Sequence, residues 1–246
     1  MYKRTSVKRR MLLLFLFVGM LNYTVWTMDG KSARGADSLP TIHARKLAHG
    51  VDTAGFPSAQ DWQSAQPVQF AWDWRGENQD EQRGTEVRLL WTPETLFVRF
   101  AARYRNTTVF LDARDDGWRY QLWEKDVAEA FLQPEPGDAF EYQELEVAPN
   151  GYWIDLHISH GKNNELKSGL KRRASIDAEK KVWTAELAIP MKGLTDKFDA
   201  AHPWRVNFFR VEGESEPRFY SAWSPTKTDQ PNFHVPAAFG YLVFEK

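Results

Sequence analysis

The residues of this 246-residue chain best suited to chemistry lie between Trp123 and Leu132, where a tryptophan precedes an alternating run. Side chains alternate along a strand, so Val127, Glu129 and Phe131 share one face of the predicted strand. A carboxylate on an apolar strand face is costly to bury alone, so Glu129 needs a partner or a polar ligand. An aromatic plate beside an inward carboxylate suits a sugar, which offers an apolar C–H face and hydroxyl donors. The alternative is that Trp123 caps the core and Glu129 pairs with an arginine.

Two more carboxylates, Glu144 and Glu146, share a face of a second predicted strand over residues 142–147. Their separation along the strand, roughly 7 Å, falls within the spacing of roughly 5–10 Å that glycosidases use for an acid and its partner. Alternating acids are also normal on a solvated sheet face, and the chain leaves little room for a deep catalytic cleft. We therefore expect a protein that is not an enzyme.

Short strands separated by turn residues predict an all-β fold, because no stretch shows a helical period of useful length. Residues 87–91 and 96–100 form the clearest hairpin, with Thr92-Pro93-Glu94-Thr95 as its turn. We expect a single antiparallel, immunoglobulin-like β-sandwich over residues 61–246, an irregular lead-in over 36–60 and a long loop over 106–120. Further strands are predicted at 67–72, 127–132, 142–147, 153–158, 170–176, 183–189, 204–211, 219–222 and 241–244.

The alternation also predicts which face of two strands is polar. Leu145 and Val147 are assigned to the core, which leaves Tyr142, Glu144 and Glu146 outside. On the following strand, Ile154, Leu156 and Ile158 are assigned to the core, which leaves the set Trp153, Asp155 and His157 outside. The two strands are therefore expected to present a shared acidic and aromatic outer face.

The first 35 residues have the sequence pattern of a signal peptide. Basic residues precede an apolar run from Met11 to Leu21, and Ala33 and Gly35 are small residues suited to a cleavage site before Ala36. The apolar run is shorter than the roughly 20 residues that span a membrane comfortably. We expect an exported protein, periplasmic, extracellular or at the cell surface, with contact to a membrane only if the leader stays uncleaved as an anchor.

Charge and cysteine content exclude several classes of partner and chemistry. Seven of the 32 basic residues and one of the 33 acidic residues precede residue 36, so the chain from Ala36 onward carries a formal charge of −7. Nucleic acid and anionic membrane surfaces need a basic footprint, which argues against both as partners. The absence of cysteine excludes disulfides, thiolate catalysis and cysteine-ligated zinc.

Six segments in order, from about Trp62 to the C-terminus, resemble the family 9 carbohydrate-binding modules of the wider DOMON-like group of β-sandwiches. The resemblance implies an immunoglobulin-like antiparallel sandwich that holds a sugar between two aromatic plates. The segments that carry it are WEKDVAEAFL (123–132), YQELEV (142–147), WTAELAIP (183–190), WRVNFFR (204–210), AWSPT (222–226) and NFHVPAAFGYLVF (232–244).

The same resemblance implies a set of sugar-binding residues. Trp123 falls at the first plate, and Glu129 at an acid that bonds sugar hydroxyls. Gln143 is matched to a further polar contact. The second plate lies in the final loop, where this chain has Phe233 in place of the usual Trp and Gln230 near a position usually held by Asn. Phe offers less stacking area than Trp.

Some members of that family carry structural calcium held by loop oxygens. Asp112, Asp115 and Asp116 supply hard oxygen ligands of the kind that calcium prefers, although their spacing fits no EF-hand loop. A structural calcium is therefore one expectation, a solvated acidic loop is the other, and no ligands are assigned. No other cofactor is expected.

The chain is thus expected to bind a monosaccharide, an oligosaccharide or a polysaccharide end without catalysis, and to associate with glycan-degrading enzymes. Two alternatives stay open from the sequence. One is a sandwich interaction or structural domain that has lost its sugar site, which the residues Phe233 and Gln230 favour. The other is a small glycoside hydrolase built on the carboxylates.

Overall fold

The computed structural model describes residues 38–135 and 137–245, and residues 38 onward form one compact unit. The predicted signal peptide lies outside the described residues. No helix within those ranges is long and apolar enough to span a membrane. The described strands are β1 (Thr41–Lys46), β2 (Val68–Phe70), β3 (Thr85–Thr92), β4 (Thr95–Arg103), β5 (Val127–Gln133), β6 (Glu141–Val147), β7 (Trp153–Ser159), β8 (Lys162–Glu165), β9 (Lys171–Asp177), β10 (Val182–Pro190), β11 (Trp204–Glu212), β12 (Phe219–Ala222) and β13 (Gly240–Glu245), and the α-helix is α1 (Ala59–Ser64).

The strands form one curled sheet whose two halves face each other as a β-sandwich. The hydrogen-bonded order is β8-β7-β6-β5-β11-β13-β1-β3-β4-β10-β9, with β12 added beside β11 and β2 beside β3. The pairings are antiparallel except at β1, which runs parallel to both β13 and β3. The predicted all-β sandwich is therefore confirmed, with one parallel strand at the seam between its halves.

The predicted hairpin is present as β3 and β4, which pair from Thr85 with Ala102 to Thr92 with Thr95. Val87, Leu89 and Trp91 all point into the core, as their alternation requires.

The space between the two halves holds the larger apolar core. It takes Ala128, Leu132 and Leu145 from β5 and β6, and Phe100 and Trp183 from β4 and β10. Because residues from both halves of the sheet meet here, this core holds the two halves together.

A second apolar cluster covers the opposite face of β5, β6, β7 and β11, which we call the outer face. Its strand residues include Val127, Phe131, Tyr142, Leu156 and Phe209, and loop residues cover them. This layer is thus apolar on both sides, which explains why all seven residues of β5 are buried.

The predicted shared polar face of β6 and β7 is wrong. Strand register pairs Glu144 with Leu156 and Leu145 with Asp155, so Glu144 shares its face with Leu156. The error arose because Leu145 and Leu156 were both assigned to one core, whereas the layer has a core on each side. Register, which places acids beside aliphatic residues, cannot be read from alternation within one strand.

The lead-in over 36–60, predicted as irregular, contains β1 and the start of α1. In strand β1, only Ile42 and Ala44 are buried. The strand pairs with β13 on one side and with β3 on the other. Helix α1 begins with a capping box, in which Ser58 and Asp61 exchange side-chain and backbone hydrogen bonds.

Candidate functional site

Trp123 lies in a short 3-10 turn, Leu122–Glu124, immediately before β5. The preceding Gln121 has a positive φ of 58°, which turns the chain sharply into this segment. Leu122 is buried, while Trp123 is half-buried and makes an edge contact with Tyr120 at 5.4 Å between ring centroids. The turn is therefore anchored by Leu122, and the indole of Trp123 stays at the surface.

Arg218 fixes the backbone around Trp123. Its Nη2 donates to the carbonyl of Trp123 at 2.8 Å and to that of Lys125 at 3.0 Å, and its Nε donates to Gly213 at 2.8 Å. A single guanidinium thus ties the turn before β5 to the loop after β11.

Phe233 lies on the other side of the same region, in the loop between β12 and β13. Its ring stacks on Phe209 at 4.2 Å with an interplanar angle of 13°, and Tyr220 meets it edge-on at 6.2 Å. With 9% of its surface exposed, Phe233 is a fixed wall and has one ring face covered by Phe209.

These elements enclose a pocket of about 200 Å³ on the outer face. It joins the predicted residues Trp123, Glu129 and Phe233. The pocket is lined by Trp123, Glu129, Phe131, Glu144, Asn163, Val211, Arg218, Tyr220, Pro231, Asn232, Phe233 and His234.

Three carboxylates meet at the base of this region, and we call Glu129, Glu144 and Glu146 the carboxylate trio. Glu129 on β5 is the register partner of Glu146 on β6. Glu144 lies two residues before Glu146, on the same face of β6. One oxygen from each lies within 4.8 Å of the other two. Their exposed fractions are only 2%, 3% and 0%.

The surroundings disfavour the charged forms of the trio. Burial, and then repulsion from Glu144, raise the pKa of Glu129 well above its usual range, although Arg218 opposes the shift. Burial raises the pKa of Glu144 as well. Burial, followed by repulsion from Glu129 and Glu144, raises the pKa of Glu146 strongly. Ionised carboxylates are therefore disfavoured in this cluster.

The alternative of an ion pair between Glu129 and an arginine is not formed within residues 38–135 and 137–245. Arg218 is near enough to lower the pKa of Glu129, but its hydrogen bonds go to backbone carbonyls and to the hydroxyl of Tyr220. The fully buried Arg210 pairs instead with Glu212 at 3.3 Å, on the opposite side of the sheet beside Trp183.

The structure does not bring Gln143 or Gln230 into the pocket. Gln143 alternates with Glu144 on β6, so it points to the other face, donates to the carbonyl of Leu194 at 3.3 Å and lines a separate cavity. Gln230 is exposed and lies one residue before Pro231, which lines the pocket. The backbone carbonyl of Gln230 accepts a hydrogen bond from the hydroxyl of Thr228 at 2.7 Å.

The acids considered for a loop calcium, Asp112, Asp115 and Asp116, are exposed, and two of them pair with arginines. Asp112 pairs with Arg119 at 3.1 Å, and Asp116 pairs with Arg114 at 3.5 Å. Within the described ranges, the acidic groups that converge closely enough for one ion are two others, the trio and a more exposed group of Asp138, Glu141 and His160.

Several lining residues were not predicted as part of a sugar site. Asn232 and His234 flank Phe233 in the quoted NFHVP motif, so their proximity was available from the sequence. Glu144 was considered only as an alternative catalytic acid, because its register with Glu129 and Phe131 was unknown. Asn163 lies on β8, whose sequence KNNE carries no alternating signal.

Comparison with known proteins decides the family. The family model described as Carbohydrate family 9 binding domain-like matches residues 56–246. The chain belongs to this family. The resemblance inferred from the six motifs is thereby confirmed, and this family 9 domain covers almost the whole described region.

Solved structures with the same fold include a proposed carbohydrate-binding protein and a family 9 carbohydrate-binding module. A proposed carbohydrate-binding protein of Bacteroides uniformis superposes with a TM-score of 0.66 at 18% identity, over 85% of this chain and 100% of that chain. A family 9 carbohydrate-binding module of Caldicellulosiruptor kristjanssonii in complex with cellotriose superposes with a TM-score of 0.58 at 13% identity, over 84% of this chain and 94% of that one. The module from the same organism in complex with glucose gives a TM-score of 0.56. At these identities the likeness establishes the fold.

A protein of Arthroderma benhamiae named "Extracellular protein" is 26% identical over 180 residues, 65% of this chain and 78% of its own length. The similarity therefore covers most of the relative and is not limited to a short motif.

Proposed function

We propose that this family 9 domain is exported and binds carbohydrate without changing it chemically, with one sugar ring held in the pocket between Trp123 and Phe233. The observation that carries the proposal is that one pocket joins two aromatic walls and two carboxylates, Glu129 and Glu144. Family membership supports carbohydrate as the ligand class.

The aromatic walls supply the binding surface for the apolar face of the sugar. Trp123 keeps a partly exposed indole, and Phe233 is held in place by Phe209 at 4.2 Å. Rigid rings lose little conformational entropy when they bind, which favours them as stacking platforms. Stacking in an open pocket is worth a few kcal/mol, so we expect dissociation constants between about 1 μM and 1 mM.

The polar lining supplies orientation. Glu129 and Glu144 accept hydrogen bonds from sugar hydroxyls, and the amide of Asn232 both donates and accepts. His234 faces the same pocket while its Nδ1 contacts the hydroxyl of Tyr142 at 2.8 Å, which fixes the ring. Gln143 and Gln230 have no part in this contact set.

The size of the pocket favours a small ligand unit. Its volume of about 200 Å³ is below the roughly 300–1,000 Å³ of sites for drug-sized ligands. We therefore propose that a single sugar residue or the end of a chain enters it. Glucose and cellotriose are suitable first ligands, because structural neighbours were solved with them.

Export is the second part of the proposal. It is supported by the basic and apolar pattern of residues 1–35 and by the relative named "Extracellular protein". Intact-mass measurement of the protein recovered from outside the cytoplasm is expected to show an N-terminus at Ala36. A mass that includes Met1 would support an uncleaved anchor instead.

Calorimetric titration with glucose, cellotriose and a wider panel of sugars tests the binding proposal. Wild type is compared with Trp123→Ala and with Phe140→Ala, which removes an aromatic ring that is 58% exposed and lies outside the pocket. We expect saturable heat with wild type, binding at least about tenfold weaker in Trp123→Ala, and no change in Phe140→Ala.

Two outcomes contradict the proposal. Absence of binding to every sugar of the panel would favour an interaction domain that has lost its sugar site. Release of shorter sugars or free glucose during prolonged incubation would mean that the carboxylate trio is catalytic.

A further inference from the structure

The carboxylate trio has more buried negative charge than the described protein groups compensate. Glu129 and Glu146 face each other across neighbouring strands, and Glu144 lies beside them, with oxygens of all three within 4.8 Å. Like charges directly opposite in a sheet are destabilising, and burial in an apolar layer adds to the cost.

The deepest member of the trio receives no hydrogen bond from an N–H group of the described residues, and its side chain contacts another acid, Glu144. Glu146 is 0% exposed, and both of its carboxylate oxygens lack a donor, as does Oε2 of Glu144. Glu146 is absent from the pocket wall, whereas Glu129 and Glu144 line it. A sugar in the pocket therefore meets Glu129 and Glu144 first, and only a small species placed between the three side chains satisfies Glu146.

Nearby protein cations do not fill this role. Arg218 donates to the carbonyls of Trp123, Lys125 and Gly213 and to the hydroxyl of Tyr220. Arg210 lies on the opposite side of the sheet, where its register partner is Ala128 of the larger apolar core.

We propose that the carboxylate trio is a binding site for a hard divalent cation of the calcium type. Calcium takes six to eight oxygen ligands at about 2.3–2.6 Å, so two oxygens on opposite sides of one ion lie roughly 4.8 Å apart. One oxygen from each of the three acids is therefore close enough to the others to reach a single ion. An all-carboxylate set without sulfur or an uncommitted imidazole favours calcium over zinc or copper.

Glu129 and Glu144 also line the pocket, so a cation held by the trio would lie next to it. The proposal concerns the cation alone and stands whether or not a sugar binds, so it is tested without sugar.

The test uses the full-length chain as its host produces it, stripped with EDTA and exchanged into chelator-free buffer. Calcium and, separately, magnesium are titrated by calorimetry, and thermal unfolding is followed at each concentration. Wild type is compared with Glu146→Gln and with Glu86→Gln, a matched change of a strand acid that bonds Arg88 and Gln69 outside the trio.

We expect one calcium-binding event in wild type that raises the unfolding temperature by about 5 °C at 100 times the dissociation constant. Glu146→Gln is expected to weaken calcium binding by about 100-fold, because a metal ligand matters at least as much as the groups that orient it. Glu86→Gln is expected to bind as wild type does. Magnesium is expected to bind at least about tenfold more weakly, because it demands a smaller octahedral site.

Without calcium, Glu146→Gln is expected to unfold at a higher temperature than wild type, because it relieves repulsion within the trio. If that variant fails to fold, Glu144→Gln replaces it with the same expectations. The proposal is overturned if wild type shows no calcium-dependent heat or stabilisation up to millimolar concentrations. It is equally overturned if the trio variants bind calcium as tightly as wild type, since the ion would then lie elsewhere.

Discussion

Glu129 of β5 and Glu146 of β6 are register partners, and both side chains are buried on the outer face of the sandwich. A pair of acids directly opposite each other in an apolar layer opposes stability, so packing alone gives no reason for it. Residues that break local folding rules without an evident gain in stability are typical of functional sites. Glu129 lines the pocket that contains Trp123 and Phe233, so this unfavourable pairing lies at the proposed binding site.

Glu129→Gln is expected to weaken sugar binding without destabilising the fold. The substitution keeps the size of the side chain and removes one carboxylate acceptor, so sugar affinity falls by about tenfold, or about 1.4 kcal/mol. Stability measured by urea unfolding in the presence of a chelator is expected to stay the same or rise, because repulsion within the trio decreases. A parallel loss of stability and affinity would mean that Glu129 acts mainly as a structural residue.

Phe233→Leu is expected to remove the flat wall of the pocket and keep much of its volume. Leucine still packs on Phe209, so the free energy of unfolding falls by about 1–2 kcal/mol. Sugar affinity falls at least about tenfold, because the ring face for stacking is lost. Phe140→Leu, a change of an exposed ring outside the pocket, serves as the control. Unchanged affinity in Phe233→Leu would exclude Phe233 as a stacking platform.

Asp73→Asn is expected to destabilise the protein at neutral pH, with an effect that fades in acid. Asp73 lies beside β12, the strand of Tyr220. Burial alone would raise the pKa of Asp73, but hydrogen bonds from Asn78, the backbone of Glu77 and Arg75 outweigh it and lower the pKa below its usual 3.8. The ionised form therefore stabilises the fold fully above pH 3.8, and this contribution is lost as the pH falls through the lower folded-state pKa.

Urea unfolding at pH 7 and below pH 3.8 measures this contribution of Asp73. Wild type is expected to be about 2 kcal/mol more stable than the variant at pH 7, with a smaller difference in acid. The exposed Asp229→Asn is the control and is expected to match wild type at both pH values. An equal difference between wild type and Asp73→Asn at both pH values would contradict the role given to the ionised carboxylate.

Arg210→Met is expected to be the most destabilising of these changes. Arg210 is fully buried against Trp183 and pairs with Glu212, and burial lowers its pKa while Asp126 and Glu212 oppose that shift. Its removal leaves buried acids without a counter-charge, at a cost of about 3–5 kcal/mol in urea unfolding. Adding Glu212→Leu is expected to recover part of that loss. If the double variant is less stable than the single one, the two residues do not form the inferred pair.

The alternating strand pattern made most of the fold predictable from the sequence. The pairing register between strands could not be predicted in the same way. The alternation in Val127–Gln133 and Trp204–Glu212 identified β5 and β11 correctly, because alternating apolar residues are a local signal. Strand β1 was missed because only Ile42 and Ala44 are buried in it, which leaves a weak alternating signal. The same limit applied to the site, since only the pairing of β5 with β6 reveals that Glu129, Glu144 and Glu146 converge.

The most direct test of the sugar-binding proposal is an NMR titration of protein labelled with ¹⁵N at tryptophan. The indole resonance of Trp123 is assigned by its absence from Trp123→Phe, and that of the buried Trp183 serves as an internal reference. We predict that glucose or cellotriose shifts the Trp123 resonance, that the shift saturates at millimolar sugar concentrations, and that the Trp183 resonance does not move. A titration in which the Trp123 resonance does not move while another part of the protein binds the sugar would contradict the proposed site.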